Sequence, residues 1–343
     1  MRLRRAWAIY TLTMPPVPEP ADLASRLDAL LADTDRAGRR EADPVGFVHR
    51  YEHSDDREVV GLVAATLAFG QVKTIRTSIA KVLDVLGPRP ALALAELDEA
   101  ALAGRLRGFV HRVYRGEHVA RMLARAHALR VREGSLGRAF AQELDATGGD
   151  LREALARFAD ALRGPDPSRG LRHLVPDPRS GSATKRLLLY LRWMIRPADG
   201  VDLGLWPVPP RLLVIPVDTH VHRIARNLGL TKRNDASWRT AEEITERLRR
   251  LDPEDPVKYD FALCHLGVSR ECPSRRDPVR CSGCVLRDVC LAYRGRAPKG
   301  PRSAGKARAA ARASGGPRGS SPEDPARADP GRRRRPARGP SGP

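Results

Sequence analysis

The sequence predicts an all-α protein, on three observations. Ala, Leu and Arg abound while aromatic residues make up only 5% of the 343 residues, a balance that favours helix over sheet. Apolar residues recur at three- and four-residue spacing in one segment after another. The periodic runs close on Gly and Pro, as at Gly70 and at Gly87-Pro88.

Taken in order, Leu23, Leu27, Leu30 and Leu31 give a first helix over 21–31. A second begins near Asp55, where Asp55 and Glu58 resemble a capping box, and carries Val59, Val60, Leu62, Val63 and Leu67 on a broad apolar face up to Gly70. Gln71 sits in the joint. A third helix turns Ile75, Ile79, Val82, Leu83 and Leu86 inward. Further helices are expected near 91–107, 116–132, 135–145 and 150–163, then a Gly/Pro/Ser/Arg loop over 164–181. A strongly apolar helix follows at Lys185–Ile195, an irregular connector at 197–215, and a helix from Pro216-Val217-Asp218 to about Asn227. Thr240 with Glu243 caps another through Leu251, and Asp255-Pro256 starts a last one to about Leu266.

Length and composition bound the rest. At roughly 150 residues per domain the chain has room for two, and a hydrophobic fraction of 41% fills a sizeable core. No apolar run approaches membrane-spanning length, and collagen and wholly disordered classes are excluded. The start, Met1-Arg-Leu-Arg-Arg and an apolar stretch, mimics a signal peptide, but Pro15, Pro16 and Pro18 stand where a small-residue cleavage site belongs. Residues 1–17 read as a floppy extension, with Met14 a possible start. The net charge is +20, of which residues 294–343 supply +11; with nine Gly and nine Pro in that stretch it reads as a disordered basic tail.

Five cysteines are too few for a disulfide framework. Four of them, Cys272-x8-Cys281-x2-Cys284-x5-Cys290, crowd together as in a metal or cluster site of a reducing, cytoplasmic compartment. Four thiolates suit a 4Fe–4S cluster or a tetrahedral zinc. Such a centre would pin the loop between the first two ligands and turn Arg275, Arg276 and Arg280 outward, where guanidiniums suit phosphate oxygens; an ordinary solvated basic loop is the other reading. Cys264, on a helical face with Val257 and Phe261, reads as a packed core thiol.

Asp218 lies where a buried apolar segment turns into a helix, so it is an N-cap. A capped, ionised carboxylate is also a fixed negative charge for a developing cation. His220 and His222, two apart on a helix, point different ways and make no metal pair. With Ser182 as N-cap, Lys185 falls in the first turn of its helix. There the dipole, and burial against Leu188, Leu189 and Trp193, lower its pKa and make it a nucleophile able to form a Schiff base. A solvated surface lysine is the alternative.

The order of a lysine-bearing helix, then Pro216-Val217-Asp218-Thr219-His220-Val221-His222-Arg223-Ile224-Ala225, then Cys281-Ser-Gly-Cys284-Val-Leu-Arg-Asp-Val-Cys290, resembles the helix-hairpin-helix DNA glycosylases of the endonuclease III and archaeal oxoguanine glycosylase type. The likeness covers about residues 55–86 and 180–290. Lys185-Arg186-Leu187…Leu191-Arg192-Trp193-Met194 looks like a bacterial family of conserved hypothetical proteins allied to that superfamily. The resemblance implies a six-helix barrel over 56–204 that includes the hairpin. It also implies a second helical domain, built from 18–55 plus 205–292 and carrying the four-Cys cluster. It implies base-excision repair of damaged double-stranded DNA by a monomer, with glycosylase and AP lyase activity. Asp218 matches the essential aspartate, Lys185 the Schiff-base lysine, and Cys272, Cys281, Cys284 and Cys290 the 4Fe–4S ligands, with zinc the alternative. Gln71, after Ala64-Ala65-Thr66-Leu67-Ala68-Phe69-Gly70, resembles the glutamine that fills the gap left by an extruded base. Trp193 and Trp206 are candidates to stack on that base, with core packing favoured for Trp193.

Three departures accompany the likeness. The hairpin reads Leu174-Val-Pro-Asp-Pro-Arg-Ser-Gly-Ser-Ala-Thr-Lys185, leaving only Gly181 and Ser182 to meet a phosphate. Lys185 and Asp218 lie far apart in sequence, and the first cysteine gap is long. A non-catalytic DNA- or RNA-binding protein on the same scaffold and a zinc-bearing RNA-processing protein fit the same residues.

Overall fold

In the computed structural model, residues 19–294 are described; the expected extension at 1–17 and nearly all of the basic tail lie outside them. The described chain is all-α. Its helices are α1 (Pro20–Asp33), α2 (Arg36–Ala42), α3 (Ser54–Thr66), α4 (Val72–Leu86), α5 (Pro90–Glu96), α6 (Glu99–Arg105), α7 (Gly116–Glu133), α8 (Leu136–Ala146), α9 (Leu151–Arg163), α10 (Arg169–Leu174), α11 (Lys185–Ile195), α12 (Thr219–Asn227), α13 (Trp238–Arg249), α14 (Asp260–Val268), α15 (Pro278–Ser282) and α16 (Leu291–Arg294). A two-stranded antiparallel ribbon, β1 (Val110–His111) and β2 (Tyr114–Arg115), pairs Val110 with Arg115 and His111 with Tyr114. No described helix is long and apolar enough to cross a membrane.

Caps explain where the sequence reading slipped. The helix expected over 91–107 is two, because Asp98 accepts the Ala101 N–H and opens α6. Ser237, not Thr240, caps α13, and Thr240 sits inside it. The stretch after Asp255-Pro256 is a turn, and α14 starts only at Asp260. Asp35 and Asp43 cap α2 and a 3-10 turn at Pro44–Arg50, both unforeseen, and the loop at 164–181 contains α10, capped by Ser168.

The capping box expected at Asp55 and Glu58 does not form. His53 precedes α3 without a side-chain cap, and Glu58 turns inward. Its carboxylate accepts the N–H of Leu136 at 3.0 Å, of Gly137 at 2.9 Å, and the Trp206 Nε1–H at 2.8 Å. Burial pushes the Glu58 pKa up, against the pull of those three donors. A Cβ at Gly137 would lie 2.5 Å from Trp206 Cδ1, so only glycine lets the indole reach the carboxylate.

A buried ion network fixes the irregular connector at 197–215. Arg192 on α11 donates through Nε and Nη2 to Asp202 at 3.1 and 3.0 Å, and through Nη1 to Asp260 on α14. Arg196 holds Asp255 with a fork of 3.0 and 2.8 Å and also reaches Asp202. Burial pushes Asp260 up to about 6 despite Arg192. Backbone bonds from Leu203 N to Trp193 O and from Leu205 N to Met194 O complete the clamp. The segment entering α12 is thereby delivered beside the start of α11.

Candidate active site

Two helix starts meet. Asp218 caps α12: one carboxylate oxygen accepts the N–H of His220 and of Val221, each at 2.8 Å. The preceding Ile215 and Val217 are buried, so the carboxylate cannot swing away without unpacking them. Its other oxygen lies 3.2 Å from Lys185 Nζ, the first residue of α11, and 3.7 Å from the Cys264 thiol. Thirty-three residues of chain separate two groups that form an ion pair.

The electrostatics correct one expectation. Burial is the largest single influence and works against the Lys185 ammonium, but the Asp218 carboxylate, with Cys264 and Asp260 in support, outweighs it, and the pKa is raised rather than depressed. Asp218 is itself held below the usual carboxylate range: burial opposes this, and Lys185 with the Val221 N–H prevails. Burial pushes the Cys264 thiol well up, so it stays a neutral donor toward Asp218. It is packed, as expected, but it also touches the pair, a contact that sequence spacing could not reveal.

The turn before α11 is pinned to α13. Trp238 N donates to Gly181 O at 2.9 Å, and Ser182 pairs with Ser237 across a backbone bridge. Gly181 takes φ +88°, which a side chain would resist. Ser182 is not the N-cap; Thr184 is, in the left-handed region at φ +43°, with its buried hydroxyl unpartnered.

A cavity of about 750 Å³ opens beside Lys185, lined among others by Phe69, His173, Ser182, Thr184 and Arg186. Gln71 stands exposed two residues past Phe69, as the residue that opens α4, and does not line it. Neither tryptophan faces the cavity. Trp193 is fully buried and Trp206 is spent on Glu58, so neither is free to stack on a molecule in the cavity. His222 bonds to the Arg233 carbonyl at 3.0 Å.

Cys272, Cys281, Cys284 and Cys290 all line a second hollow, of about 170 Å³, with Arg275, Arg276 and Arg287. Burial raises the thiols of Cys272, Cys284 and Cys290. Arg223 of α12 donates to the Cys272 carbonyl at 2.8 Å. Among the described residues, no group of three or more Cys, His, Asp or Glu is drawn close enough to hold a metal ion as they stand. Four sulfurs around one small hollow nevertheless fit a four-thiolate group in kind and number. Arg275, Arg276 and Arg280 are exposed, as expected; Arg276 lies over the Tyr293 ring at 4.6 Å and Arg280 donates to the Arg270 carbonyl.

Over 83 residues the chain is 37% identical to endonuclease III of Thermotoga maritima, an alignment covering 23% of this chain and 34% of that protein. The chain thus matches about a third of the relative's length. Residues 43–269, which hold both helix starts, match the family described as "Protein of unknown function (DUF2400)", and the chain belongs to that family.

Proposed function

We propose that this protein is a DNA glycosylase with AP lyase activity, acting on damaged double-stranded DNA with Lys185 as nucleophile and Asp218 as its carboxylate partner. The observation that carries the reading is the 3.2 Å approach of Lys185 Nζ to Asp218 at the edge of a cavity large enough for a nucleotide. The similarity of part of the chain to endonuclease III supports it. The described residues would then divide into a helical barrel and a second domain carrying the cysteines.

A base cannot be reached within the stack, so it is extruded into the cavity. Lys185 must first lose its proton, and Asp218 is the group in place to receive it. The amine forms a bond to C1′ as the bond from C1′ to the base breaks, and the base leaves with a proton. Asp218 stabilises the positive charge on the sugar. The resulting Schiff base allows β-elimination at the 3′ phosphate. Gln71 fills the gap in the duplex, and Gly181, Ser182, Arg275, Arg276 and Arg280 meet the backbone. Cys272, Cys281, Cys284 and Cys290 would hold a 4Fe–4S cluster, with zinc the alternative, whose part is to fix the 272–290 loop.

Borohydride trapping on duplexes with an abasic site or a panel of damaged bases tests the reading. Wild type is expected to form a covalent adduct and Lys185→Ala none. An adduct that persists unchanged in Lys185→Ala, or binding without product on every duplex, overturns it. For the cysteines, protein purified without oxygen is expected to carry about four irons per chain, lost in Cys284→Ala; a colourless zinc protein would replace the cluster by the metal.

A further inference from the structure

One wall of the Lys185 cavity holds an ordered set of rings that the reading above leaves without a task. Phe69 and His173 line the cavity with centroids 5.4 Å apart, and Tyr114, fully buried, lies behind His173 at 5.6 Å. Arg186 binds the Tyr114 hydroxyl through Nη1 and the His173 carbonyl through Nη2. His111, behind Phe69, completes the set: its Nδ1 meets Ser78 Oγ at 2.8 Å and its Nε2 meets the Phe69 carbonyl at 3.0 Å.

These bonds fix a proton. A guanidinium only donates, so the Tyr114 oxygen is an acceptor toward Arg186. Its own hydrogen has two acceptors within reach, His173 Nδ1 at 2.8 Å and the His173 carbonyl at 3.4 Å; the carbonyl is the more distant and already accepts from Arg186, so the hydrogen goes to Nδ1. A ring that accepts at Nδ1 carries its proton at Nε2. Nδ1 faces the buried tyrosine, which leaves Nε2–H on the other side of an exposed ring that lines the cavity. Burial, with Arg186 and Arg169, lowers the His173 pKa and so favours the ring with a single proton. Acceptors nearby are already taken: Arg179 occupies Asp160 at 2.6 Å and Asp177 at 2.9 Å. At His173 the wall therefore presents a donor.

We infer that His173, set by Tyr114 and Arg186, is a specificity residue that reads a carbonyl oxygen on the edge of an extruded nucleobase, so that the cavity takes keto-bearing bases in preference to amino-bearing ones. The inference rests on the reading that this cavity receives a base; it adds which class of base. Tyr114 and Arg186 act through His173 and are positioning residues.

The test is equilibrium binding of the full chain to duplexes that differ at one nucleotide. 2′-Fluoro-2′-deoxyuridine and 2′-fluoro-2′-deoxycytidine, each mismatched opposite thymine, resist cleavage and differ at the carbonyl against the amino group. One hydrogen bond made in one case and not in the other predicts roughly fivefold tighter binding of the uracil duplex by wild type. Tyr114→Phe, which removes only the hydroxyl, is expected to bring that ratio close to one. His173→Ala does the same at an exposed position, should the buried change disturb folding. No preference in wild type, or a preference that survives both variants, overturns the inference while Lys185-dependent trapping stands. Preference without trapping sinks the catalytic reading alone, and failure to bind any duplex sinks both.

Discussion

Asp218→Asn is expected to leave the fold intact and to cut the rate of base release by about two to three orders of magnitude, the cost of removing one preorganised charge or donor from a developing ion. Asparagine is as good an N-cap as aspartate, so the N–H groups of His220 and Val221 keep an acceptor and α12 stays formed. What disappears is the negative charge beside Lys185. With it goes the strongest of the influences that raise the Lys185 pKa, and burial, which acts the other way, gains on those that remain. The sign follows: the amine of the variant becomes neutral at lower pH than in wild type. In single-turnover trapping on abasic duplex, the rising limb of the pH–rate profile should move to lower pH while its plateau drops. A plateau loss with an unmoved limb would mean that Asp218 does not set the state of the lysine.

Arg192→Met carries the largest expected loss of stability. The guanidinium is the shared partner of Asp202 and Asp260, both almost completely buried. Removing one member of such a set strands the others, at a cost of about 3–5 kcal/mol. Urea unfolding monitored by circular dichroism reads it. The deficit should grow with pH. Burial already raises both carboxyl pKa values in the native chain, Asp260 to about 6. A raised carboxyl favours the fold below its unfolded value and loses that advantage as pH climbs through the folded one. Without Arg192 both carboxyls rise further, so the variant should lie closer to wild type at pH 5 than at pH 8. Arg192→Lys keeps a charge but not the fork, and should fall between the two.

Local chemistry made much of the molecule legible. Lys185–Ile195 begins and ends as its apolar pattern dictates, and Asp218 caps α12 as an aspartate after a buried run should. The meeting of Lys185 with Asp218 was reachable only through resemblance, because no periodicity links two helix starts across an irregular connector. The unforeseen parts share one cause: partners remote in sequence. Glu58 looked like a local cap and is instead claimed by Leu136, Gly137 and Trp206. Cys264 looked like packing and lies against Asp218. The Lys185 pKa went the wrong way because the dipole and burial are readable locally and the carboxylate is not. Tyr114 and His173 gave no signal, since a proton's position depends on three side chains from three elements.

The first described helix is tied to the C-terminal part of the described chain. Arg26 bonds to Asp288 at 2.6 Å, and Asp28 accepts the Tyr259 hydroxyl at 2.7 Å, closures over 262 and 231 residues. During synthesis α1 emerges early, and these two partners follow it only after more than two hundred residues. The four cysteines lie between residues 272 and 290, so whatever those sulfurs hold can be bound only after α14 has been made. A chain cut before Tyr259 would lack both of these partners of α1 and all four cysteines, and so be an early target for proteases.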